Sequence, residues 1–201
     1  LAESALQMMK ERYEGTSLGR QELYAEIVDD VEGALWTSNM IEDQRLNKET
    51  ERDLQSIIVA VDPAVTSGSQ SDETGIIVVG KDYNNHFYVL EDISGRHTAD
   101  NWGRIVLNAY YEWEADRIIA EVNNGGDLVE KLIRDKDPNA SYRSVRATRG
   151  KMLRAEPIAA LYEQGRVHHM GVFGELEQQM CSYVGQLKPS PDRLDALVWG
   201  L

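Results

Sequence analysis

The sequence predicts an α/β domain: one mixed sheet, three antiparallel strands first and parallel strands after them, with helices on its faces. Two observations predict it. Three apolar runs rich in β-branched residues, Ser56–Asp62, Gly75–Lys81 and His86–Glu91, follow one another across the polar segments Thr66–Thr74 and Asp82–Asn85. Beyond residue 98 the apolar period lengthens to 3–4, and helical stretches alternate with short apolar runs, the mark of crossover connections.

The elements follow in order. Residues 1–55 read as an arm of polar helical pieces, Leu6–Lys10 and Gln21–Val28, broken at Glu14–Gly19, with a charge-rich linker or solvated helix over Ile41–Arg52. The folded unit is expected over 56–201, starting with the three strands. Thr98 can N-cap a helix carrying Trp102, Ile105, Val106, Ala109, Tyr110 and Trp113 on one face. Arg117–Val122 reads as a fourth strand, Asp127–Arg134 as a helix after Gly125-Gly126, and Tyr142–Ala147 as a fifth strand. Helices are expected over Leu153–Gln164, Glu175–Tyr183 and Asp192–Leu201, with a short strand-like run over Arg166–His169. A meander followed by right-handed crossovers puts the first strand at the centre, with the fourth parallel beside it. That topology is the ribonuclease H-like fold.

Three acidic signatures then fall together: Val61-Asp62-Pro63-Ala64, Ala120-Glu121-Val122-Asn123-Asn124 and Pro191-Asp192-Arg193-Leu194-Asp195-Ala196. Asp62 and Glu121 close parallel neighbouring strands, and α/β sheets place their sites at that edge. Buried carboxylates are unfavourable unless paired or bound to a cation. Oxygen ligands with open positions suit a hard divalent ion, and phosphodiester hydrolysis by two ions ~3.5–4 Å apart needs one carboxylate between them. Asp62 is the bridging candidate, Glu121 and Asp195 hold one ion each, and Asp192, one turn before Asp195, is a secondary ligand. Asp72 is a weaker outer candidate. Each acid alone has a plainer reading: a turn at Asp62-Pro63, a salt bridge at Glu121, a helix cap at Asp192 or Asp195. Their joint placement favours the metal site.

Composition bounds the rest. The hydrophobic fraction of 42% suits one good core in 201 residues, and no apolar stretch reaches the ~20 residues of a membrane span. The opening Leu1-Ala2-Glu3-Ser4 carries no signal peptide and lacks an initiator Met, which reads as a piece of a longer chain in a reducing cytoplasm. Cys181 reads as a small buried hydrophobe. A net charge of −13, from 21 Lys+Arg against 34 Asp+Glu, disfavours DNA binding by the domain alone, so another domain or subunit is expected to bring the DNA. Yet Ser141–Arg154 holds Arg143, Arg146, Arg149, Lys151 and Arg154 without an acid. Arg149, Lys151 and Arg154 are candidate DNA contacts. Gly150-Lys151 lacks the rest of a Walker loop, so no ATPase motif is present, and His168-His169 reads as solvated.

Arg12-Tyr13-Glu14-Gly15-Thr16, Gly19-Arg20-Gln21-Glu22-Leu23 and Gly33-Ala34-Leu35-Trp36 resemble the segment after the ATPase in large terminase subunits of tailed bacteriophages. The three acidic signatures, with Gly125-Gly126-Asp127, Thr148-Arg149-Gly150-Lys151 and Arg154-Ala155-Glu156-Pro157, resemble their C-terminal nuclease domain. The resemblance implies an endonuclease that cuts concatemeric double-stranded viral DNA during packaging, in the host cytoplasm, with two Mg or Mn ions on Asp62, Glu121 and Asp195. It also implies an ATPase motor domain before Leu1, a portal protein and a small terminase subunit as partners. Similar sequences carry Asp or His at the position of Asp192. Rival readings are a resolvase- or transposase-type nuclease of the same fold and a non-catalytic docking module for portal or small terminase.

Overall fold

A computed structural model describes residues 30–63, 73–122, 126–185 and 191–201. The elements are α1 (Ser38–Glu42), β1 (Leu54–Asp62), β2 (Gly75–Asp82), β3 (Phe87–Asp92), α2 (Ala99–Glu112), β4 (Arg117–Glu121), α3 (Gly126–Lys136), β5 (Tyr142–Val145), α4 (Lys151–Glu163), β6 (Val167–His169), α5 (Gly174–Cys181) and α6 (Asp192–Gly200). The sheet runs β5-β4-β1-β2-β3-β6. β2 is antiparallel to both β1 and β3, whereas β4 lies parallel to β1, β5 to β4 and β6 to β3. This is the expected mixed, ribonuclease H-like sheet. The strand-like run before His169 closes its far edge as β6.

The apolar runs are continuous because helices cover both faces of the sheet. Along β2, Ile77 and Val79 enter one core with residues of α4, α5 and α6, and Ile76 and Val78 enter the other with residues of α2 and α3. The Thr98 hydroxyl caps α2 by accepting from the Asn101 amide. From there Trp102, Val106 and Ala109 are buried at helical spacing. Helix α4 starts two residues earlier than the apolar pattern suggests, directly after Gly150, and contains Pro157.

The described part of the arm, including the start of the segment expected as a linker or solvated helix, is packed onto the domain. Thr37 caps the short helix α1, Ile41 is buried, and Trp36 is fully enclosed against Tyr162 and Tyr183. Leu46 forms a parallel bridge to Met170. The charges around these residues masked two large anchors, whose burial at about 1.5–3 kcal/mol each overrides the polar surroundings.

Helix α6 lies hard against the sheet at both of its ends, through glycines. A Cβ on Gly75 would stand 2.0 Å from the Asp192 carbonyl oxygen, and one on Gly200 would stand 2.8 Å from Val79 Cγ2 and 3.3 Å from Ala60 Cβ. No other residue type permits that approach. It fixes where the first turn of α6 sits relative to the end of β1.

Candidate active site

Asp62 is the last residue of β1 and Glu121 the last of β4. These parallel neighbours are paired up to Val61 and Ala120, so their carboxylates leave the sheet at one edge. Asp192 and Asp195 lie in the first turn of α6, both buried, and the contact at Gly75 holds that turn at the same edge. Burial, then repulsion from Asp195, Glu121 and Asp192, holds Asp62 well above the ordinary carboxylate range, against a pull from Lys151. Burial raises Asp195 as well, with Glu121 adding to it and Lys151 and Arg154 opposing. The structure thus brings all four acids into one electrostatic neighbourhood. Asp72, Asn123 and Asn124 lie outside the described residues.

Two cations answer these acids, both from the first turn of α4 and three residues apart on one face. Lys151 Nζ donates to Asp195 Oδ2. Burial works against the Lys151 ammonium, but its bond to Asp195 and the charges of Asp62 and Asp192 outweigh that and raise its pKa. Arg154 Nη1 meets Glu121 Oε2 at 3.3 Å, with both side chains only about one-eighth exposed (12% and 13%). The same oxygen accepts from Trp199 Nε1 at 2.5 Å, and the Arg154 guanidinium lies over the Trp199 ring, 4.5 Å from its centroid. Arg154 Nε is buried without a hydrogen-bond partner among the described residues. So two of the three residues read as DNA contacts, Lys151 and Arg154, turn inward to the carboxylates, and Arg149 stays exposed.

Arg193, between the two α6 aspartates, binds three further acids. Its Nη1 donates to Asp92 Oδ2 at 2.9 Å, its Nε to Glu73 Oε2 at 3.2 Å, and its Nη2 to Glu175 Oε2. An arginine in the first turn of a helix opposes the macrodipole, and these carboxylates offset that. They tie the turn to β3 and α5.

Sequence reasoning missed Trp199, the Arg193 cluster and the histidines. His169 is fully buried rather than solvated: its Nδ1 lies 3.0 Å from Glu177 Oε1 and its Nε2 2.8 Å from the Tyr162 hydroxyl. His168 is half-buried, stacked between His86 and Tyr88. Adjacent strand residues face opposite sides of the sheet, and here both sides are covered. Cys181 is buried as expected, its thiol pushed up to about 11 by burial. Among the described residues, no three His, Cys, Asp or Glu groups form a ready-made ion cage, and no helix is long and apolar enough to cross a membrane.

A family model of the terminase RNaseH-like domain matches residues 59–201. The chain belongs to this family. Solved terminase structures share its fold. A large terminase from a thermophilic bacteriophage aligns over 99% of this chain at 14% identity, TM-score 0.61. The chain spans only 52% of that terminase's length. The large terminase nuclease of phage G20c aligns over 81% of this chain and 93% of its own at 12% identity, TM-score 0.57. A variant gp2c of the large terminase subunit from bacteriophage Sf6, solved with calcium, aligns over 83% and 97% at 12% identity, TM-score 0.61. The G20c nuclease has also been solved with zinc, and the Sf6 nuclease domain with manganese and beta-thujaplicinol. No curated protein matches the chain. The terminase resemblance read from the motifs is therefore a family membership, and the ribonuclease H-like topology derived from element order is the topology of this terminase domain.

Proposed function

We propose that this terminase domain is a divalent-metal-dependent endonuclease that cuts concatemeric double-stranded viral DNA during genome packaging. The observation that carries the reading is the convergence of Asp62, Glu121, Asp192 and Asp195 on one sheet edge, where burial and then the other three acids raise the Asp62 pKa. Four carboxylates answered by Lys151 and Arg154 leave an excess of negative charge and oxygen donors, which is what a hard divalent cation takes up. The zinc, calcium and manganese in the related G20c and Sf6 nuclease structures support a divalent ion here.

Asp62, Glu121 and Asp195 would hold the ions, Mg or Mn and two in number, and Asp192 would support them. Bound ions supply a water nucleophile at neutral pH and stabilise the leaving oxygen. The chain's own residues do the rest. Glycine contacts at Gly75 and Gly200 fix α6, so that Asp195 faces the strand ends. Trp199 and Arg154 orient the Glu121 carboxylate through its Oε2. Lys151 shields Asp195 through its ammonium, and would give up that contact where an ion is bound. The longer protein would supply an ATPase motor domain and meet portal and small terminase subunits in the host cytoplasm, which also accounts for the tolerated net charge.

The test is incubation of the purified chain with supercoiled plasmid in Mn, in Mg and in EDTA, beside Asp195→Ala. Nicking and linearisation that need metal and vanish in the variant are the expected result. Cutting that persists unchanged in Asp195→Ala overturns the site. A wild-type chain that stays inert, even with the motor domain added, overturns the nuclease reading in favour of a docking module.

A further inference from the structure

The net charge of −13 leaves open how a duplex could approach this site. The acid-free stretch Ser141–Arg154 splits in two in the fold. Its C-terminal cations, Lys151 and Arg154, are consumed by Asp195 and Glu121. Its other three, Arg143, Arg146 and Arg149, are exposed and enter no ion pair or side-chain hydrogen bond among the described residues.

They lie on the outermost strand and its continuation. Among the described residues β5 is paired with β4 alone, and no strand lies on its second edge. Val145 opposes Glu121, and the chain then runs through Arg146, Thr148 and Arg149 to Gly150, the cap of the helix whose first residue meets Asp195. Ser144 and Thr148 are exposed between the arginines. Guanidinium groups alternating with hydroxyls on such a strand edge have the chemistry of phosphate contacts, which position a duplex without reading its sequence. Charged edge strands also serve to prevent sheet-to-sheet pairing. That role, however, does not require cations alone, nor their continuation beyond the strand to the mouth of the carboxylate site.

We infer that Arg143, Arg146 and Arg149, with Ser144 and Thr148, form a backbone track that lays double-stranded DNA along the β5 edge and delivers a phosphate to the strand-end acids. The track rests on the nuclease reading for its destination. Its partner is a duplex, gripped through phosphate oxygens and without sequence preference, and its grip is separable from the chemistry.

The test measures binding of a fluorescent 30-base-pair duplex to the full chain in calcium, as a function of salt. Three lost phosphate contacts should lower the slope of log affinity against log salt by about 3, since each contributes about 0.9. The triple variant Arg143→Gln, Arg146→Gln, Arg149→Gln should show that drop with an unchanged melting temperature. The matching triple lysine variant should keep the wild-type slope. An unaltered slope in the folded triple glutamine variant overturns the track and leaves the nuclease reading intact. Failure of the wild-type chain to bind duplex at any salt overturns the track, and wild-type cutting in the plasmid assay then decides the nuclease reading independently.

Discussion

Glu177 and Asp62 are both carboxylates withdrawn from solvent, the first fully and the second in part, and their surroundings push them in opposite directions. Glu177 Oε1 accepts from Arg45 Nη1 at 2.7 Å, from His169 Nδ1 at 3.0 Å and from the Phe173 amide at 3.0 Å, while Oε2 accepts from Arg45 Nη2 at 3.1 Å. Burial alone would raise its pKa, but the hydrogen bonds and charges of His169 and Arg45 hold it well below the ordinary range. Asp62, partly buried beside three other acids, is held well above it by that burial and by their charges. Burial is common to both and so does not separate structure from function. The separating quantity is local balance: around Glu177 donors outnumber acceptor charge, and around Asp62 charge outnumbers donors. The first arrangement is complete as it stands. The second is completed by something that brings positive charge from outside, consistent with the proposed ions.

The largest effect should come from breaking the complete cluster. Glu177→Ala leaves Arg45, with only about a tenth of its side chain exposed, paired with Glu42 alone, and takes the acceptor from His169 and the Phe173 amide. A loss of about 3–5 kcal/mol is expected from denaturant midpoints, the size typical of breaking a buried pair by removing one partner. A loss under about 1 kcal/mol would mean that solvent reaches the site and that the contrast with Asp62 is overstated. The same cluster makes a signed prediction for pH. Because the folded pKa is depressed, the unfolded chain takes up the proton first. The stability from Glu177 is therefore present above its ordinary value near 4.5 and is lost as pH falls through that value towards the lower folded one. The stability difference between wild type and Glu177→Gln should shrink as pH drops below about 4.5. A difference that grows there would reverse the assignment.

Next in size is Arg193→Gln, which removes the one cation shared by Asp92, Glu73 and Glu175. Glu175 is mostly exposed and Glu73 partly so, leaving Asp92 as the buried partner that suffers. About 2–3 kcal/mol should be lost, somewhat less than for Glu177. Metal titration by calorimetry should weaken alongside, because the clamp positions Asp192 and Asp195. Lost stability with unchanged metal affinity would make Arg193 a structural clamp only.

The two clusters were not equally legible. The strand-end acids could be read because an apolar run followed by Asp62-Pro63, or by Glu121-Val122, announces a strand and its end in adjacent residues. Parallel neighbours then bring the ends together by topology alone. The Glu177 cluster joins Arg45 of the arm, His169 of β6 and α5, which no spacing rule relates. Its members, like Trp36 and Ile41, are placed by packing. Lys151 and Arg154 were legible as a basic run but not as counter-ions, since which way a helix turn faces depends on the sheet beneath it. Gly75 and Gly200 carried the missing signal, though a glycine that marks close approach looks the same in sequence as one that marks a turn.

The smallest prediction has the opposite sign to the others. Asp62→Asn removes one charge from a neighbourhood where charges repel, while keeping the side chain's shape and its capacity to hydrogen-bond. In EDTA the variant should be more stable than wild type by about 1 kcal/mol. That is the low end of one charge–charge interaction at contact distance. The low end applies because Lys151, 44% exposed, opens the neighbourhood to solvent and already screens part of the repulsion. Added manganese should reverse the order, stabilising wild type and leaving Asp62→Asn unmoved, so that the melting curves of the two proteins cross as metal is titrated. Curves that stay parallel would mean that Asp62 bears no differential load between the empty and the ion-bound site. The proposed bridging role would then pass to Glu121 or Asp195.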